Sequence, residues 1–400
     1  MNVFSVSAFF FAYLIKKRTM LLFSPSKWQP IHIAATGYFL AVMLSMIFAH
    51  SITDLTPFRL LFSGLILFWV IPEIDPGKAP KEMLIHAFGA VAVMIGALSC
   101  LQIFFPDVIN SIADSFLRGR YAYGITIEFN RGRLLHWGAL ILIFPFFYSS
   151  ASLLKWRSRF WTTAYVFGGY LLIVGSMIMA NFRGEFLVFC LVSVAYIWYA
   201  RRSRLISDRK ILYLIEFFVL MAVFGLIVSK IVLGYNLLER FLLSNSYRDV
   251  TETLGRITLY DQALTVFLAA PLLGVGYGNY FSVVWPFPIL QYFTYFDQIL
   301  PMPVPIASHN EFYTALAETG IFGFIGFFFL FFFIGRRIVR ALLAFRFSTT
   351  PDTLFSLTCA ASFLSLFLYV WFENIYPQNI VYILVMGGMM THWVHLKNET

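Results

Sequence analysis

Charge is scarce in this chain. Only 12% of its 400 residues are Asp, Glu, Lys or Arg, while 60% are hydrophobic and the mean hydropathy is positive. A water-facing surface alone needs about twice that charge, so a soluble globule is excluded and a polytopic membrane protein is expected. Cysteine is rarer still. Cys100, Cys190 and Cys359 all sit in apolar runs without CxxC spacing, which excludes a disulfide frame and a thiolate metal site and leaves small buried hydrophobes. The histidines other than His309 share no spacing beyond the His392/His395 pair, and no metal site is indicated. The net charge of +9 gathers in short loops between apolar runs, which is a topology signal and not a nucleic-acid footprint.

What is there in abundance is the apolar run of about 20 residues, the length that crosses a bilayer core. Spans are expected at about 33–51, 57–72, 83–105, 134–154, 160–180, 185–200, 211–233, 312–335, 354–372 and 379–396. A shorter stretch, Val3 to Ile15, ends at Lys16-Lys17-Arg18 with no small-residue cleavage site after it. The expectation is therefore an all-α polytopic protein of roughly 10–12 transmembrane helices, forming one membrane domain over 1–400 without a repeat. Basic loops at 16–18, 155–159, 201–210 and 336–346 fall on one face when the spans alternate, which makes that face cytoplasmic. The opposite, periplasmic face receives a smaller loop at 106–133 and a long segment at 235–310.

A connection that long between spans is more often functional than idle. It opens with a charge-mixed run from Leu238 to Asp249, then Gly255-Arg256. Ile257 to Ala270, interrupted by Tyr260-Asp261-Gln262, reads as an amphipathic helix closed by Pro271. Gly274, Gly276 and Gly278 alternate in the following turn. They resemble a phosphate loop without its preceding strand or its lysine, so close approach of backbone to a lipid-linked ligand or plain tight packing is expected. Trp285 to Pro305, rich in proline and aromatics, suits a lid or wall at headgroup level. The segment ends in Ala307-Ser308-His309-Asn310-Glu311 and runs on through Tyr313 and Glu318 to Gly320 and Gly323, so that a histidine, an amide, two carboxylates and paired glycines meet the mouth of a span.

These residues carry a resemblance. His309-Asn310, followed after nine residues by Gly320 and after two more by Gly323, resembles the hallmark of the O-antigen ligase and Wzy-type polymerase superfamily of bacterial envelope glycosyltransferases. Gly255-Arg256 with Pro271 to Gly278 resembles the segment preceding that hallmark, and Arg183-Gly184 the family's other functional arginine. Phe182 departs from the small hydroxyl residue common before that arginine, and Tyr260 from a common tryptophan. The resemblance implies a GT-C-like membrane fold in the bacterial inner membrane, with an active site facing the periplasm. It also implies an undecaprenyl-diphosphate-linked O-antigen donor, a lipid A-core acceptor in the ligase case and no nucleic-acid partner.

The implied chemistry is transfer of a glycan from a polyprenyl diphosphate. The leaving diphosphate must be held and neutralised while the acceptor hydroxyl loses its proton. The sequence has no DxD pair for a metal, and its nearest analogue, Glu73-Ile74-Asp75, falls on the cytoplasmic face. Arginine bonds phosphate oxygens bidentately and stays charged, so Arg183 and Arg256 are the expected diphosphate clamps, with no cofactor or metal. His309, with an ordinary pKa near about 6.5, is the expected catalytic base. Asn310, Glu311 and Tyr277 are candidates for orienting it or binding the acceptor. Each has a plainer reading: a histidine at a span mouth can simply be packed, and an arginine at a helix end can reach for lipid headgroups.

Within the superfamily the ligase is favoured over the polymerase. Arg118, Arg120, Arg131 and Arg133 form an outward basic group suited to the phosphates and acidic sugars of a lipopolysaccharide core, or to lipid headgroups. Neither Arg183 nor Arg256 is followed by glycine at the offset found in one group of polymerases. The chain stops soon after its last span, unlike protein O-oligosaccharyltransferases with an extra outer domain. From a different class, a flippase for the lipid-linked glycan calls for inverted halves and charges near the midplane. Here the candidates gather on one face.

Overall fold

The computed structural model describes residues 28–49, 55–71, 78–105, 108, 147, 160–179, 183–204, 207–232, 247–283, 292–295, 298–301, 308, 310–344, 351–371 and 377–392. They form helices α1 (Pro30–Ile47), α2 (Thr56–Val70), α3 (Lys78–Phe104), α4 (Phe160–Met179), α5 (Arg183–Arg202), α6 (Asp208–Val232) and α7 (Tyr247–Ala269). The short α8 (Tyr280–Val283), strands β1 (Tyr292–Tyr295) and β2 (Gln298–Pro301), and helices α9 (Glu311–Ala344), α10 (Pro351–Tyr369) and α11 (Pro377–His392) follow. Nine of the ten expected spans coincide with a helix, and the tenth, 134–154, lies outside the described residues but for position 147. Several helices start on proline, whose missing N–H and fixed φ suit a first turn: Pro30, Pro57, Pro351 and Pro377.

Among the described residues α1 and α9, of 18 and 34 residues, are long and apolar enough to cross a bilayer, and Pro57–Val70, Gly89–Gln102 and Phe355–Tyr369 are shorter apolar helices. Their outward faces are apolar too. On α9 Phe322, Ile325, Phe328, Phe329 and Phe332 are exposed while Phe327, Leu330, Phe331 and Ile334 are buried, and α6 exposes Leu212, Ile215, Val219, Val223 and Ile227. An apolar surface of this extent fits a hydrocarbon surround rather than water.

The chain divides into two compact units. The first comprises residues 1–75, 244–340 and 367–400. In it α2 packs along α11, with Gly64 and Gly388 at the crossing: a Cβ at Gly64 would lie 2.9 Å from the Val381 Cα, and one at Gly388 3.0 Å from the Phe68 carbonyl. Gly326 brings α9 onto α1 in the same way, where a Cβ would stand 2.8 Å from the Tyr38 Cα. The second unit comprises residues 76–243 and 341–366 and is built around α3 against α4, meeting where Gly96 faces the Leu172 carbonyl.

Within the first unit, the described residues of the long segment after α6 hold more regular structure than its composition suggests. Helix α7 begins at Tyr247, nearly three turns before the amphipathic stretch expected from Ile257. It buries Leu259, Ala263 and Val266 and exposes Arg256, Ile257 and Asp261. Strands β1 and β2 pair antiparallel, Tyr292 opposite Pro301 and Tyr295 opposite Gln298, with β1 against α7. The run Tyr-Phe-Thr-Tyr has the aromatic and β-branched composition that favours strand, so this short hairpin departs from the all-helical expectation.

Candidate active site

The site is built around the first half of α9. Asn310 is its N-cap: the side-chain oxygen accepts from the backbone N–H of Phe312 at 3.0 Å and of Tyr313 at 3.4 Å. The Asn310 amide nitrogen donates to the Trp371 carbonyl at 3.3 Å, and the Glu311 N–H donates to the Val370 carbonyl at 3.1 Å. Both bonds tie the helix start to the end of α10. Ser308 Oγ accepts from the Asn310 N–H at 3.2 Å, donates to the Asn310 carbonyl at 2.7 Å, and lies 2.6 Å from the Thr314 hydroxyl. The two neighbours of His309 are thus each buried and fixed, while His309 itself lies outside the described residues. Glu311, in the first turn, stands where the helix dipole favours a carboxylate.

Nine residues on, α9 breaks. Gly320 has φ 62° and ψ −167°, a conformation open to glycine alone. The turn after α7 bonds to the backbone on both sides of this break. Val275 N–H donates to the Ala317 carbonyl at 3.0 Å and Gly276 N–H to the Glu318 carbonyl at 2.9 Å. On the far side Ile321 N–H reaches the Pro271 carbonyl at 2.9 Å and Phe322 N–H the Leu272 carbonyl at 3.5 Å. The backbones touch so closely that a Cβ on Gly274 would overlap Glu318, and one on Gly320 would overlap Leu272. Ser45 of α1 adds a second donor to the Glu318 carbonyl at 2.6 Å.

The three alternating glycines therefore do not present their amides to a ligand. Gly274, Gly276 and Gly278 all have positive φ, and the amides of Gly278 and Tyr280 turn inward to the Glu318 carboxylate. Of the two sequence expectations for this turn, tight packing is what is found. Gly320 approaches the same turn, and Gly323 accommodates the Thr319 side chain of its own helix; the close helix–helix approach belongs to Gly326.

Above the break lies a buried polar cluster. Tyr38 of α1, 2% exposed, hydrogen-bonds the Tyr277 side chain and is within electrostatic reach of Glu311 and Glu318. Burial, and then the Glu318 carboxylate, raise the Tyr280 phenol well above its ordinary value, so it stays protonated. Arg256 is exposed on α7, one turn before Tyr260, whose ring stacks on Tyr313 with centroids 5.0 Å apart and planes at 7°. Tyr313 is four residues past His309. The first unit thus holds Tyr277, Asn310 and Glu311 on one half-helix and its turn, with Arg256 on the helix stacked against it. Arg183 opens α5 in the second unit. The basic group at 118–133 lies outside the described residues.

Sequence reasoning passed over Tyr38 and Ser45, and it noted Glu318 only as one of two carboxylates at the mouth of the span. A signal for the first two exists: they stand seven residues apart in an apolar span, on one face. Among the described residues no three His, Cys, Asp or Glu side chains gather to hold a metal.

Comparison with known proteins fits this geometry. Residues 168–328, from α4 to the middle of α9, match the family model for O-antigen ligase. This stretch is similar to the O-antigen ligase and Wzy-type superfamily, whose members are membrane-associated, glycosyltransferase-type enzymes acting on lipid-linked glycans. No curated protein matches it. The matched stretch contains Arg183, Arg256, Tyr277, His309, Asn310 and Glu311.

Proposed function

We propose that this protein is an O-antigen ligase of the bacterial inner membrane, multi-pass, with its active site facing the periplasm. It transfers a glycan from undecaprenyl diphosphate to lipid A-core. Arg256 grips the diphosphate and neutralises its charge without a metal, and Arg183 is a second candidate for that role on the resemblance alone. His309 takes the proton from the acceptor hydroxyl as its oxygen attacks the anomeric carbon. The bond to the diphosphate oxygen breaks, undecaprenyl diphosphate leaves with the electron pair, and attack from the opposite face inverts the anomeric centre. Asn310 acts by fixing the helix start, and Glu311 and Tyr277 supply the polar surround.

The observation that carries this reading is the exposed Arg256, set one turn from a tyrosine that stacks on the half-helix beginning just after His309. An accessible guanidinium beside an otherwise buried polar cluster suits an anionic ligand that arrives from outside. The outward basic group at 118–133 favours lipid A-core as acceptor over a second lipid-linked repeat unit, the polymerase alternative. A flippase would have no use for a base at the mouth of a span.

The test offers purified protein undecaprenyl-diphosphate-linked glycan together with lipid A-core, with and without chelator. Glycan on lipid A-core, unaffected by chelator, is the expected product. Lengthened lipid-linked glycan with the core untouched would replace the ligase by the polymerase, and translocation without any new bond would leave only the flippase.

A further inference from the structure

Glu318 is a carboxylate 6% exposed inside an apolar bundle, and no step of the proposed transfer uses it. Burying a carboxylate is expensive unless its oxygens are bonded. Here they accept from two backbone amides of one turn, Tyr280 N–H at 3.1 Å and Gly278 N–H. Its own carbonyl accepts from a third, Gly276 N–H at 2.9 Å, and from the Ser45 hydroxyl at 2.6 Å. A glutamine could accept both amides only through its single oxygen and would turn an N–H₂ towards them; a leucine would orphan them.

The location gives the arrangement its meaning. Glu318 is two residues before Gly320, whose non-helical φ and ψ kink α9 and divide its first half from the rest. The turn that Glu318 grips begins directly after α7, the helix that carries Arg256.

The geometry points to Glu318 as a positioning residue: its carboxylate clasps the 276–280 turn across the helix break, and so sets the direction of the 311–319 half-helix against α7. The clasp rests on the reading above only in what it aligns, the start of the half-helix at His309 and the guanidinium of Arg256. It touches neither donor nor acceptor. Its loss misplaces the base relative to a donor that is still gripped, and a misplacement of about 1 Å is enough to slow a reaction roughly a hundredfold.

Two variants in full-length protein test this, Glu318→Ala and Glu318→Gln, read by hydrogen exchange over 271–283 and by transfer kinetics. In Glu318→Ala the Gly278 and Tyr280 amides exchange at least about tenfold faster while α2 and α11 keep their protection. In the same variant kcat falls by about tenfold or more and the donor KM moves by less than about threefold. Glu318→Gln, which keeps one acceptor oxygen, recovers part of both.

Unchanged protection at Gly278 and Tyr280 would overturn the clasp. So would faster exchange throughout the protein, which would make Glu318 a general core contact, or lost protection with normal kcat. The exchange measurement judges the clasp without any glycan. Failure of the unaltered protein to transfer glycan would instead strike the proposed function.

Discussion

The two halves of α9 are one helix in hydropathy and two in physics. Over 311–319 the buried residues include Glu311, Thr314, Glu318 and Thr319, with Asn310 capping the start and a turn from another part of the chain bonded to the end. Over 321–334 polar groups give way to Phe322, Ile325, Phe328, Phe329 and Phe332 on the outside and Phe327, Leu330 and Ile334 within, before the basic run at Arg336, Arg337 and Arg340. That apolar stretch asks only for an apolar surround. The first half is held by specific hydrogen bonds, each of which leaves a buried polar group behind if it is removed. Hydropathy locates a span of this kind, and hydrogen-bond accounting locates the part that does chemistry.

The contrast is most easily broken at its boundary. Gly320→Ala puts a Cβ on a φ of 62° and against the Leu272 backbone, so a loss of at least about 3 kcal/mol is expected, seen as a large fall in thermal midpoint or failure to yield folded protein. An unchanged midpoint would mean that the helix runs on unbroken. The same unfolding experiment sharpens the contrast on either side. Asn310→Ala, which removes the cap, is expected to lose about 1 kcal/mol, whereas Phe328→Leu on the outward face stays within about 0.5 kcal/mol in a lipid surround. Equal effects at the two positions would erase the distinction between the halves.

Much of this was legible beforehand because it is local. Apolar runs of span length placed helices where they are found, and the His309-Asn310, Gly320, Gly323 pattern pointed to the family that residues 168–328 match. What stayed hidden depends on contacts distant in sequence. Ser45 donates to Glu318 across 273 positions, and nothing near either residue announces the partner. The break at Gly320 was invisible because hydropathy runs smoothly through it. The early turns of α7 were hidden because Arg248, Asp249 and Glu252 make that run charge-rich, with no apolar periodicity to announce a helix. The glycine turn was ambiguous because the same positive-φ amides can surround a phosphate or a carboxylate, and only Glu318 decides between them.

The proposed transfer divides its labour between the arginine on α7 and the histidine before α9, and equilibrium binding of undecaprenyl diphosphate beside transfer in the same preparations measures that division. Arg256→Ala is expected to weaken binding by about tenfold or more, the loss of a charge-assisted contact. His309→Ala is expected to bind normally and to lose transfer by about a hundred- to ten-thousand-fold. Normal binding in Arg256→Ala, or transfer surviving in His309→Ala, would contradict the assignment of an arginine clamp and a histidine base.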